Sequence, residues 1–272
     1  MSVRLALRAN PASGGSTDAG SVERRLTGLG AELVEEARAE RLVVAGGDGS
    51  VAPAAERAGE LGVPLAVLPT GTANDFARAT GLPEDLDEAC ELAVRGSHLR
   101  LLDLGRMDGR PFVNAANAGL AVAAARSAAP LKKALGPLAY ALGAVRAGVS
   151  THPVACRVTC DGRELFAGDA WQVIVAGTGH FGGGSHVEAA DDDDGRLDVA
   201  VIEAGSRLRL VQRAYGLRSG RVTGQRGVHH ARGCDVVLEG DAAFNLDGEL
   251  VDPSPRTGFG IDPGAFRLVV PG

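Results

Sequence analysis

The sequence predicts an α/β domain built on a parallel sheet, followed by a β-rich domain of antiparallel strands arranged as a sandwich. Three observations carry this. Through the first hundred residues, apolar runs lead into turns of Gly, Ser, Asp or Thr and then into helix-like stretches. Strands alternating with helices at this spacing make a parallel sheet covered on both faces. From Pro153 onward short β runs dominate, separated by recurring Asp-Gly pairs that suit antiparallel hairpins. Third, a chain of 272 residues with 45% hydrophobic and 23% charged residues has ordinary globular composition and room for two domains. The division is placed at 1–105 and 106–272, with the C-terminal end free to pack back on the first domain.

The elements follow in order. Val3–Leu7, Leu42–Ala45 and Leu65–Leu68 read as strands, with helices at 18–29, 51–61, 72–80 and 84–95. Each strand runs into a glycine-rich turn, at 10–15, 46–50 and 69–75. In open α/β sheets ligands sit beyond the carboxyl ends of the strands, which is where these turns fall. After Leu104 the character changes. Residues 116–149 are alanine-rich, and Leu131, Leu135, Leu138, Leu142 and Val145 recur at helical spacing. Strands are expected at 154–160, 163–167, 170–176, 197–202, 235–239, 244–246 and 266–270, with a helix near 207–217.

A net charge of −6 gives no reason to expect nucleic acid as partner. Locally the balance reverses: Arg207, Arg209, Arg213, Arg218, Arg221, Arg226 and Arg232 occur with no acid between Glu203 and Asp235. Cys90, Cys156, Cys160 and Cys234 form no CxxC pair and read as free thiols, Cys156 and Cys160 on one face of a strand. The chain opens directly on a strand, without a leader-like segment, and no apolar run reaches the roughly 18 residues of a spanning helix. A cytoplasmic protein is expected.

Glycine lacks the Cβ that would keep backbone N–H groups from closing on phosphate oxygens. Gly46, Gly47, Gly49 and Ser50 in one turn, and Gly71 and Thr72 opening the helix after another, are therefore candidates for holding the phosphates of ATP. Asn10 and Ser13 line the first turn or merely shape it; Asn74 and Asp75 cap the third or touch the nucleotide. Asp48 is a carboxylate on a phosphate loop, where it would repel the substrate unless it held Mg²⁺ directly or through water. Asp247 and Glu249 flank Gly248, either converging on one point or forming a plain hairpin turn with solvated carboxylates. The acids 191–194 are either a solvated loop or an oxygen cluster for a hard cation.

Taken together, Asn10-Pro11-Ala12-Ser13-Gly14-Gly15, Gly46-Gly47-Asp48-Gly49-Ser50 and Pro69-Thr70-Gly71-Thr72-Ala73-Asn74-Asp75-Phe76-Ala77-Arg78 resemble the nucleotide-side motifs of the diacylglycerol kinase catalytic family, with its sphingosine and ceramide kinase relatives. Phe112-Val113-Asn114, Gly136 to Tyr140, Gly182-Gly183-Gly184, Asp194-Gly195-Arg196-Leu197-Asp198 and Leu246-Asp247-Gly248-Glu249 follow in the family's order. The resemblance implies a phosphofructokinase- or NAD-kinase-like first domain, a sandwich second domain, and transfer of the γ-phosphate of ATP to the hydroxyl of diacylglycerol or a related lipid. It implies Asp247 as general base with Glu249 assisting, and a structural Mg²⁺ on Asp191, Asp194 and the Arg196 carbonyl. It also implies peripheral contact with an anionic membrane at its inner face, through the arginines of 206–232 or the amphipathic stretch 131–146. A homodimer is left open.

Departures from the family are definite. The stretch between Gly15 and Val43 is short, Ala52-Pro53 stands where Asn-Glu is usual, and Ser50 stands for threonine. Gly119-Leu120-Ala121 lacks an acid, and Gly177-Thr178 replaces Asn-Gly. These departures motivate a second reading, a degenerate member that binds nucleotide or lipid as a non-catalytic regulator. A relative of NAD kinase or phosphofructokinase shares the Gly-Gly-Asp-Gly turn but not the string at 69–78 or the distal Asp-Gly-Glu.

Overall fold

The computed structural model describes residues 2–9, 18–128, 152–178, 180–181, 185–186, 192–206 and 225–272. Two units divide the chain: residues 1–104 with 262–272, and residues 105–261. The strands at 98–107 and 249–270 run from one unit into the other.

In the first unit the elements are β1 (Arg4–Ala9), α1 (Ala19–Gly28), β2 (Glu32–Leu33), β3 (Arg41–Gly46), α2 (Asp48–Leu61), β4 (Leu65–Pro69), α3 (Asp75–Ala79), α4 (Leu86–Arg95) and β5 (His98–Met107). β1 pairs with β2 and β3, β3 with β4, and Leu65 of β4 with Leu268 near the C-terminus, all in parallel. β3 and β4 are buried along nearly their whole length, as strands covered on both faces must be. Val22 and Leu26 of α1 and Ala89, Cys90 and Ala93 of α4 pack against Leu5, Val43, Ala45, Ala66 and Leu68 of the sheet.

Polar ends are closed by side chains. Asp85 caps α4 by accepting the N–H groups of Asp87 and Glu88. At the other end Arg41 donates to the carbonyls of Ala93 (2.5 Å) and Gly96 (2.8 Å), groups that no helix satisfies internally. Two boundaries differ from expectation. α2 begins at Asp48 rather than 51, and α3 is confined to 75–79 after a bend at 71–73. Asn74 adopts the left-handed conformation (φ 51°, ψ 41°), which no helix can contain, so Gly71 and Thr72 do not open one.

The second unit continues with β6 (Arg110–Phe112), β7 (Ala115–Gly119), α5 (Leu120–Ala128), β8 (Val154–Cys160), β9 (Arg163–Ala176), β10 (His180–Phe181), β11 (Ser185–His186), β12 (Leu197–Glu203), β13 (Val228–Gly233), β14 (Asp235–Leu246) and β15 (Glu249–Val270). Strand pairing within it is antiparallel. β9 pairs with β8 through residues 163–170 and with β7 through 172–176. β14 likewise pairs with β8 through 236–239 and with β7 through 244–246.

A positive-φ glycine comes before the change in β9, Gly168 (φ 148°) opposite Cys156, and another at the change in β14, Gly240 (φ 144°). A Cβ at Gly240 would lie 2.5 Å from the Ala155 carbonyl oxygen, so only glycine fits the bend. Each strand thus turns a corner without stopping, which is why the expected breaks at 168–169 and 240–243 are bends in single strands. The bent strands wrap one core containing Phe112, Val158, Phe166, Val175, Phe244 and Phe259, with the last two rings edge to face at 5.4 Å.

Residues 115–119, at the start of the alanine-rich stretch and without a strand expected there, form β7, buried between β9 and β14. Pairing on both edges outweighs the modest helical preference of alanine. The leucine repeat at 131–145, the Gly136–Tyr140 motif and the helix placed near 207–217 lie outside the described residues.

Candidate active site

In the first unit the ends of β3 and β4 lie side by side, Gly46 opposite Pro69, and the Thr70 N–H donates to the Gly46 carbonyl at 3.0 Å. This register brings the two glycine turns into contact. A Cβ on Gly71 would stand 2.5 Å from the Cα of Gly47 and 2.8 Å from Oδ1 of Asn74. A Cβ on Gly47 would stand 3.2 Å from the Cα of Gly71. Both turns are therefore glycine first because they must touch each other.

Side chains fix the rest of this junction. Asp48, the first residue of α2, accepts the Phe76 N–H at 2.9 Å through Oδ1, tying α2 to α3. Asn74 accepts the Gly71 N–H at 3.0 Å and donates back to the carbonyls of Gly71 and Pro69. Asp75 is buried and pairs with Arg78 at 3.1 Å. Asn74 and Asp75 thus order the loop, while Thr72 is exposed on the bend and Ser50 sits in the first turn of α2. Gly49 lies in the same turn. Asn10 and Ser13 fall outside the described residues.

In the second unit Asp247 and Gly248 form the two-residue turn between β14 and β15, with φ of 46° and 95°. These are the angles of a type I′ hairpin. The Asp247 carboxylate is not merely solvated. Oδ2 accepts the N–H of Val113 at 2.7 Å, and Oδ1 accepts those of Asn114 at 2.9 Å and Ala115 at 3.0 Å. Its own N–H donates to the Ala115 carbonyl at 3.1 Å. Glu249, the first residue of β15, is exposed.

Asn114 links this turn to another segment. Buried at the start of β7, it accepts the Gly177 N–H through its carbonyl at 2.9 Å and the Thr178 hydroxyl through Oδ1 at 3.1 Å. Three segments distant in sequence, 113–115, 177–178 and 247, are bound together by that residue. Its place in the Phe112-Val113-Asn114 string marks the position, but nothing in the spacing reveals its partners.

In the acidic run, Asp194 has partners of its own. Asp194 accepts the Arg196 N–H at 3.0 Å and pairs with the Arg232 guanidinium. The same guanidinium donates to Oδ2 of buried Asp198 at 3.2 Å, whose Oδ1 faces His230 Nε2 at 2.8 Å. Arg196 is exposed and Asp191 lies outside the described residues. Among the described residues, no group of three or more His, Cys, Asp or Glu side chains could hold a metal ion.

Known proteins place this arrangement. The model of the diacylglycerol kinase catalytic domain matches residues 18–107, and that of the YegS C-terminal NAD kinase beta sandwich-like domain matches residues 114–270. A YegS-like lipid kinase of Pseudomonas aeruginosa is 34% identical over 259 residues, 88% of this chain and 80% of the relative. The chain belongs to the diacylglycerol kinase family of lipid kinases. A diacylglycerol kinase of Bacillus subtilis is 30% identical over 215 residues, 76% of this chain and 70% of that one. Among solved structures, a diacylglycerol kinase from Bacillus anthracis shares the fold with a TM-score of 0.75 at 22% identity, covering 99% and 97% of the two chains. An ATP complex of an NAD kinase from Archaeoglobus fulgidus has a TM-score of 0.55 at 14% identity, over 98% and 94% of the chains. In this diacylglycerol kinase family member, the adjoining glycine turns lie in the first matched segment and the Asp247 turn in the second.

Proposed function

We propose that this protein transfers the γ-phosphate of ATP to the hydroxyl of diacylglycerol or a closely related lipid. The contact between the Gly47 and Gly71 turns carries the reading. Two turns that meet through glycine backbone at adjoining strand ends form a surface on which phosphate oxygens can meet N–H groups. Phosphoryl transfer asks the protein mainly to position reactants and neutralise charge. Gly46, Gly47, Asp48, Gly49, Ser50, Gly71 and Thr72 are the proposed nucleotide side, with Asn74 and Asp75 keeping it in shape.

Mg²⁺ fits this donor set. A small hard cation binds through one or two carboxylates plus substrate phosphates, and Asp48 offers a carboxylate anchored by the Phe76 amide. Bound there, Mg²⁺ would offset the negative charge that builds on the phosphates. The hydroxyl proton of the lipid is proposed to leave to a carboxylate of the turn at 247–249.

Reaching a lipid requires contact with a bilayer, and no helix among the described residues is long and apolar enough to cross one. Reversible attachment to an anionic surface through the basic stretch 206–232 completes the proposal; Arg213, Arg218 and Arg221 lie outside the described residues. Turnover of labelled ATP with diacylglycerol in phosphatidylglycerol vesicles tests the whole. Magnesium-dependent labelling of the lipid supports it. Nucleotide binding without transfer to any lipid hydroxyl would favour a non-catalytic regulator.

A further inference from the structure

Asp198 is the second residue of β12, and its side chain is 0% exposed. A carboxylate taken wholly out of water is costly unless charged or hydrogen-bonding partners come with it. The register supplies them. β13 runs antiparallel to β12, with Arg232 directly opposite Asp198 and His230 opposite Ala200. Two residues apart on a strand, Arg232 and His230 share one face. Arg232 Nε donates to Oδ2 of Asp198 at 3.2 Å, and His230 Nε2 meets Oδ1 at 2.8 Å.

That commitment fixes where the rest of the guanidinium goes. With Nε on Asp198, Nη2 of Arg232 reaches Oδ2 of Asp194 in the loop before β12. The other oxygen of Asp194 accepts the Arg196 N–H at 3.0 Å, closing a turn over Gly195 with its φ of 72°. Both Asp194 oxygens are thus engaged, one by backbone and one by a full positive charge. A divalent ion on this carboxylate would sit against the guanidinium and be repelled by it. The guanidinium cannot withdraw without leaving buried Asp198 to His230 alone. The donor set therefore does not fit the structural Mg²⁺ that the family resemblance implies on Asp191, Asp194 and the Arg196 carbonyl.

We propose that Arg232 is the resident cation of this loop: its guanidinium takes the place of a bound metal ion, and residues 194–198 hold their structure without one. Arginine suits the task because a planar fork of donors can serve two carboxylates at once. Being part of the chain, this charge does not dissociate or answer to a chelator. The loop it holds has a structural neighbour of consequence. Asp198 pairs on its other side with Ala176 of β9, the residue before Gly177, whose N–H donates to the Asn114 carbonyl. Arg232 therefore buttresses, through β12 and the end of β9, the segments that Asn114 joins to the Asp247 turn.

The test uses the full chain without nucleotide, in EDTA and in millimolar Mg²⁺, and reads melting temperature and amide hydrogen exchange at 194–199. Neither readout needs the protein to phosphorylate anything. Exchange in the wild type should be the same in both solutions. Arg232→Gln strips a buried carboxylate of its charged partner, so melting should fall by about 5 °C or more and exchange at 194–199 should accelerate. Should that variant fail to fold, Asp194→Asn leaves Arg232 on Asp198 and removes only the loop carboxylate. Its exchange should quicken at 194–196, and Mg²⁺ should again make no difference. Protection of 194–199 by Mg²⁺ in the wild type, lost in EDTA, overturns the proposal and restores a metal to the loop. So does an Arg232→Gln protein that melts and exchanges like the wild type.

Discussion

The two units build their turns by opposite means. In the first, the junction at 46–50 and 69–75 exists because side chains are missing: Gly47 and Gly71 touch through bare backbone. In the second, the turns at 108, 161 and 247 exist because carboxylates are present and reach across to distant amides. A surface for phosphate needs exposed N–H groups and cannot tolerate bulk or unneutralised negative charge close by. A β-rich unit with many hairpins needs its register pinned, and an aspartate tolerates the left-handed turn position while supplying an acceptor. The contrast teaches that the same dipeptide chemistry, small polar next to glycine, serves recognition in one unit and assembly in the other.

The largest effects should come from filling the glycine junction. Gly71→Ala places a methyl 2.5 Å from the Gly47 Cα, closer than backbone can approach, whereas Gly47→Ala places one at 3.2 Å. Overpacking of this kind costs about 1–3 kcal/mol. Gly71→Ala should therefore lower the melting temperature and abolish measurable ATP binding, with Gly47→Ala milder in both and Gly47→Val intermediate. Isothermal titration and thermal unfolding rank them. Equal effects, or a harmless Gly71→Ala, would break the idea that contact between turns makes the site.

A smaller effect separates the two kinds of anchoring by acid and salt. In the first unit Glu36 pairs with Arg57 at 2.8 Å and Arg8 at 2.6 Å, which hold its carboxyl below the usual range. In the second, the amides of Asp235 and Cys234 hold Asp161 below its usual range. For both groups a depressed folded-state value means stabilisation that is complete above about pH 4 and lost as pH falls through the depressed value. Glu36→Gln and Asp161→Asn should each flatten the acid side of the stability curve. Ion pairs are screened by salt while amide bonds are not, so high salt should shrink the Glu36→Gln effect and leave that of Asp161→Asn. Equal salt responses would erase the distinction between the units.

How much of this was legible follows the same division. β1, β3 and β4 were readable because buried strands are continuous apolar runs closed by glycine turns, and the string at 69–78 named the family outright. In the second unit the strands were seen but cut in two at Gly168 and Gly240, since a positive-φ glycine signals a break and a bend alike. β7 was missed because alanine carries no β signal and only its neighbours on both edges make it a strand. Asp247 was visible as a motif, yet its three amide partners lie more than 130 positions away, and no local pattern reveals them. Arg232 illustrates the same limit: its partners Asp198 and Asp194 lie 34 and 38 positions away in sequence.

The smallest effect concerns the thiols, which sample both units. Cys90 of the first unit lies on the buried face of α4, and burial pushes its thiol up to about 11. Cys156 in the second is likewise pushed up to about 11, and Cys160 is raised by burial and then by neighbouring Asp161. Cys234 is exposed and directs its sulfur toward the Gly195 carbonyl at 3.3 Å. Reactivity follows the thiolate and its access, so at neutral pH a disulfide reagent should modify one thiol per chain, at Cys234, with no change in melting. Cys234→Ser should abolish that fast phase. In Asp161→Asn the strands around Cys160 lose their clamp, and a second thiol should become reactive slowly while Cys90 stays protected. Labelling of Cys90 at the same rate would mean that loosening a hairpin in one unit opens the other, and the units would no longer be separable in the way their turns suggest.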